Sequence, residues 1–219
     1  MRIWIALAVV VGLVAPAGAQ GLPQTGSLDR FMKESAAQQS QKDLQQIVVR
    51  KRTRGGGARR PAKVGKHAPA SATDFQQSGT RPYVETFLQN VSVDASAKAH
   101  LRAVFEAAFE SVNKALRPNN VAAAMGYALG VAIQIVNDVE LPDADGKELV
   151  TGINDMLAAS QEFKGLGHAD RQTLYEGFVM TGAMLMIAHN AGKNDPSIRQ
   201  QSQDMARNVI SQLSGQVAK

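Results

Sequence analysis

The stretch from Val121 to Val136 constrains this chain more than any other: sixteen residues hold one strongly polar side chain, Gln134, while the small residues Ala122, Gly126 and Gly130 recur every fourth position. With Asn119 or Asn120 as its cap, it reads as a helix apolar on all sides, and such a helix has to be enclosed by other elements. The small-residue spacing lets a neighbouring backbone come close. The run falls short of the ~20 apolar residues needed to cross a bilayer, which favours a core helix sheathed by companions in water.

Apolar residues at three- and four-residue spacing supply those companions. Pro82 sits at a favoured entry position for a short helix over Tyr83 to Val91. Asp94 can cap a second, in which Leu101, Val104, Phe105, Ala108, Val112, Ala115 and Leu116 share one face before Pro118 stops it. Past a turn over Leu141 to Gly146, a helix runs through Leu149, Ile153, Met156, Leu157 and Phe163 and ends at Gly165 or Gly167. Another extends from Asp170 to about His189, and Asp195-Pro196 reads as the N-cap and first position of a last helix through Ile198, Met205, Val209, Ile210 and Leu213. Alternating β patterns are almost absent. The expected fold class is all-α, a single orthogonal or antiparallel bundle of five to six helices over residues 81–219. Burying one Leu, Ile, Phe or Met contributes about 1.5–3 kcal/mol. More than twenty such residues lie from Tyr83 onward.

A core of that size matters because the sequence has no cysteine and opens with an export signal. Arg2, the apolar run Ile3 to Val14 and the small residues Ala17-Gly18-Ala19 make the three parts of a secretory signal peptide over residues 1–19, with cleavage before Gln20. The expectation is a bacterial protein exported to the periplasm or beyond the cell, in an oxidising compartment, without disulfides. Absent thiols also exclude a cysteine nucleophile, thiolate metal ligands and a thiol redox couple.

Net charge is +5, but it is segregated. Arg50, Lys51, Arg52, Arg54, Arg59, Arg60, Lys63 and Lys66 form a tract with no acid, whereas residues 73–219 carry twelve cations against sixteen acids. The basicity belongs to a tail. Residues 20–80, Gln-rich and then basic, with few large apolar side chains, read as a mostly disordered linker with a helix near 28–48. The eight cations suit an anionic envelope polymer or an acidic envelope protein, or simply a solvated linker. No aromatic residue between Ile47 and Phe75 is available to stack bases, which argues against nucleic acid.

Motifs for chemistry are missing. There is no Gly-x-Ser-x-Gly, phosphate-binding loop, His-Glu-x-x-His or Glu-x-x-His, and His100, His168 and His189 fall on different expected elements. Asp143-Ala144-Asp145-Gly146 imitates part of a calcium loop, but Leu141 and Gly152 occupy the positions that need an Asp and a Glu. It reads as a turn and helix cap. No catalytic residue, metal site or cofactor is expected. The best remaining cluster is Asp170, Arg171, Gln172, Tyr175 and Glu176, where Gln172 and Glu176, like Arg171 and Tyr175, lie one helical turn apart. Its bland reading is a first helical turn with acids at the positive end of the dipole.

The segment His168 to Glu176, followed by an apolar helix, a glycine and Asp195-Pro196, resembles the C-terminal half of an uncharacterised family of exported bacterial all-helical proteins, a domain of unknown function, over about residues 84–215. The resemblance implies an all-α fold and export, maps the family's helix-opening motif onto Asp170, Arg171, Gln172, Tyr175 and Glu176, and carries no activity. The leading expectation is a non-catalytic helical binding or interaction protein with a basic tether. One alternative is a cell-wall or host-directed hydrolase using Glu176 and Asp170. A second is a membrane-inserting, toxin-like bundle.

Overall fold

A computed structural model describes residues 67–91 and 93–214, leaving aside the side chain of Ser214. The leader expected over residues 1–19, the helix expected near 28–48 and the cations Arg50 to Lys66 lie outside the described residues. Among these there are seven α-helices, one 3-10 turn over Ala70–Thr73 and no strand.

Helix starts follow the local chemistry. Helix α1, Pro82–Asn90, has Pro82 in its first turn and no side-chain cap of its own. Asp94 opens α2, Ala95–Ala115, by accepting from Ala97 N. Asn120 opens α3, Val121–Asn137, by accepting from Ala123 N at 2.9 Å. Asn119 instead adopts a left-handed turn at φ 50°, which asparagine tolerates better than most residues. Helix α4, Asp143–Ala159, carries Asp143 and Asp145 in its first turn, so the Asp-x-Asp-Gly stretch starts a helix. Ser160 then breaks the continuous helix expected through Phe163: its backbone is extended, and its hydroxyl accepts from Phe163 N to cap the single turn α5, Gln161–Lys164. That turn is why the helix number exceeds five to six. Helix α6, His168–Ala191, begins two residues before Asp170 and holds both His168 and His189, one at each end. Asp195 caps α7, Pro196–Ser214, through Ser197 N and Ile198 N.

Helix α3 sits at the centre, buried from Val121 to Ala132, and packs against α6, α7 and α4. Two glycines set how near its neighbours come. A Cβ on Gly126 would stand 2.5 Å from Val150 Cγ2 of α4, and one on Gly182 of α6 would stand 2.4 Å from Tyr127 Cε1. The close approach foreseen for the small-residue stripe is therefore made at Gly126 toward α4, while on another side of α3 Gly182 of α6 makes room for Tyr127. No helix among the described residues is long and apolar enough to cross a membrane.

Residues 67–81 form a strap across α3, α4 and α6. Its composition reads as linker, yet Thr73 and Phe75 are buried and Asp74 makes an antiparallel bridge to Asn120. The packed unit thus reaches back to His67 from the boundary expected at 81. The strap orders itself through hydrogen bonds to helix side chains, a source of order that apolar composition does not register.

Candidate functional site

The cluster that opens α6 faces the strap. Leu174, Phe178 and Val179 on the same helix are core residues, and this packing fixes the rotation of α6, which in turn carries Gln172, Tyr175 and Glu176 into the interior. Asp170 stays exposed in the first turn. Arg171 is half-buried. The five residues therefore divide, and only Gln172 and Glu176 are directly bonded, Gln172 Nε2 donating to Glu176 Oε1 at 2.7 Å.

Glu176 is fully buried, and its carboxylate serves main chain. Oε2 accepts from Tyr83 N at 2.9 Å and from Val84 N at 3.4 Å. These N–H groups lie in the first turn of α1, the helix whose own N-cap residue makes no side-chain hydrogen bond, so α6 supplies the cap from 92 and 93 residues away. Burial pushes the carboxyl above the usual glutamate range, opposed by the Gln172, Tyr83 and Val84 hydrogen bonds and by the Arg81 charge. Arg81 itself lies over the Phe109 ring at 3.8 Å and pairs with Glu106 at 3.0 Å.

Gln172 uses both ends of its amide. Its oxygen accepts from Ser78 N at 2.8 Å and Ser78 Oγ at 3.0 Å, while its nitrogen donates to Thr80 O at 2.6 Å as well as to Glu176. Tyr175 donates its hydroxyl to Asn113 Oδ1 at 2.8 Å and packs between Phe75 and Phe109. Burial pushes that hydroxyl up to about 12. Arg171 donates to Asp74 O and Phe163 O and lies over the Phe163 ring at 4.6 Å.

The spacing of the cluster gives which of its residues lie one helical turn apart, but not the strap residues that they bind. Their signal is faint: Phe75, the first aromatic after a long stretch without one, stands in a run otherwise polar and small. A second group holds the far half of the strap. Asp155 accepts from Ala68 N at 2.8 Å and pairs with His67 Nδ1 at 2.6 Å, and Asn154 donates to Pro69 O and accepts from Thr73 Oγ1. Asp74 receives Arg117 through Nε at 2.7 Å and Nη2 at 2.5 Å, and Asn120 Nδ2 at 2.7 Å. The Arg117 hydrogen bond is the main reason its carboxyl lies below the usual range.

Chemically, the arrangement holds main chain in place. A general acid or base has to reach the reacting proton within about 2.6–3.2 Å, directly or through one water, and Glu176 is sealed against amides at that distance. Among the described residues no three His, Asp or Glu side chains converge to hold a metal ion. At the other end of α6, His189 is held below the usual histidine range by burial and by the cations of Lys193 and Arg199, against the pull of Asp138. Its Nδ1 is buried without a partner.

No curated protein and no solved structure matches the chain. A family model described as a family of unknown function, DUF6683, matches residues 1–215, and the chain belongs to that family, in keeping with the resemblance carried by the segment that opens α6.

Proposed function

We propose that this is an exported bacterial binding protein without catalytic activity, a helical bundle whose basic tract, Arg50 to Lys66, tethers it to an anionic polymer of the cell envelope. The observation that carries the reading is the burial of Glu176. Of the two carboxylates expected to serve a hydrolase, Glu176 is buried against the start of α1 and Asp170 stands apart from it in solvent. Export rests on the leader at residues 1–19. The tether rests on charge: eight cations without an acid precede a domain that is itself mildly acidic, so attraction for a polyanion concentrates in the tail. The family model matches residues 1–215, a range that includes residues 1–19 and Arg50 to Lys66 as well as the bundle.

Lipopolysaccharide titrated with the chain from Gln20 to Lys219 tests the tether. Affinity falls steeply between about 50 and 200 mM salt as released counterions lose their entropic advantage. Replacing the eight cations with glutamine abolishes the binding. Equal binding by the charge-free variant, or an affinity indifferent to salt, rejects the reading.

A further inference from the structure

The strap is gripped in two ways at once. Its main chain is read by helix side chains and one loop carbonyl: Ala68 N by Asp155, Pro69 O by Asn154, Ala70 O by Asn120, Asp74 O by Arg171, Phe75 N by Asn119 O, Gln76 N by His168, and Ser78 N and Thr80 O by Gln172. Three consecutive side chains are then read one by one. The Thr73 hydroxyl donates to Asn154 Oδ1 at 2.9 Å, the Asp74 carboxylate takes the fork of Arg117 together with Asn120, and the Phe75 ring meets Tyr175 at 5.2 Å. Main-chain hydrogen bonds that hold a segment and pockets that select its side chains are the two halves of a peptide-recognition site.

We propose that this face of the bundle is a peptide-binding groove, filled in cis by residues 67–80, and that in trans it takes a partner peptide presenting a hydroxyl residue, an acid and an aromatic in succession. Each pocket fits its chemistry. A two-nitrogen guanidinium contact is shaped for a carboxylate, a fixed amide oxygen for a hydroxyl donor, and the Tyr175 ring for an aromatic edge. The chain's own strap wins while it is attached, because its linkage gives it an effective concentration of the order of millimolar. This site deepens the reading of the bundle as a binding protein and rests on it.

The test is made on the full exported chain with a protease site inserted after Gly79, where an added Cβ would meet no atom within 4 Å. After cutting, circular dichroism follows the helices, size exclusion follows the N-terminal fragment, and a fluorescent peptide of residues 67–80 is titrated by anisotropy. The helices persist, the fragment stays bound, and the labelled peptide replaces it. Peptides with Asp74→Asn or Phe75→Ala bind weaker by about tenfold or more, as loss of a charged hydrogen bond or a ring contact implies. Melting of the bundle on cutting, departure of the fragment from an intact bundle, a bound fragment that never exchanges, or equal binding by both altered peptides each overturns the proposal. None of these readouts depends on polyanion binding, so groove and tether fail separately.

Discussion

Helix α3 and the strap are both buried, by opposite means. Around the middle of α3 the contacts are mostly apolar side chains and glycine gaps. Across the strap the contacts are hydrogen bonds from Asn120, Asn154, Arg171 and Gln172, each to a defined atom, and beside it Glu176 accepts from the first turn of α1. Apolar burial gains with area and is lost by degrees. Polar burial is close to neutral while complete, and costly once one partner is missing. The two regions should therefore respond differently to small chemical changes.

Glu176→Ala is the sharpest way to break the polar side. It removes the acceptor of Tyr83 N, of Val84 N and of one of the two Gln172 Nε2 hydrogens, at about 1–3 kcal/mol for each buried donor that water cannot reach. A total loss of about 3 kcal/mol or more is expected in urea unfolding. Glu176→Gln keeps the volume and one acceptor but turns an N–H₂ toward that of Gln172, so it falls between wild type and alanine. A loss no larger than that of an ordinary surface substitution would show that α6 does not hold the start of α1.

The matching break on the apolar side is Gly182→Ala. Alanine favours a helix by about 1 kcal/mol over glycine, which pulls toward stability. Against this, the new methyl stands 2.4 Å from Cε1 of a sealed Tyr127 ring, and such overpacking costs about 1–3 kcal/mol. A net loss of up to about 2 kcal/mol, seen as a lower Tm, is expected. A raised Tm would mean that α3 and α6 can part without cost.

The same contrast explains what could be read in the sequence. Helix α3 was legible because a wholly apolar run has one solution, and Asp94, Asn120 and Asp195 were legible as caps because each acts within three residues of itself. The break at Ser160 was not, since the apolar spacing from Leu149 to Phe163 suits one helix and the competing signal is a single hydroxyl. Gln172 and Glu176 could be placed on one face of a helix. Their partners, 92 to 94 residues away in the hydrogen bonds they make to Ser78, Thr80, Tyr83 and Val84, follow only from the packing of α6. The strap escaped for the same reason: two buried side chains leave composition looking like linker, while the order resides in atoms of other helices.

The smallest effects sharpen the comparison further, because one chemical deletion should change sign between the two regions. Tyr127 and Tyr175 are both buried aromatic residues with hydroxyls raised by desolvation. The Tyr127 hydroxyl has no hydrogen-bond partner in its apolar surroundings, whereas that of Tyr175 donates to Asn113 Oδ1 at 2.8 Å. In Tyr127→Phe an unpaired polar atom leaves the core, so stability is unchanged or rises by up to about 1 kcal/mol. In Tyr175→Phe an acceptor on α2 loses its donor beneath the strap, so stability falls by about 1 kcal/mol. Denaturant midpoints of the two variants, compared at equal m-values, decide it. If both substitutions destabilise alike, the Tyr127 hydroxyl is satisfied in solution, and the division between a region held by shape and a region held by hydrogen bonds does not extend to the level of single atoms.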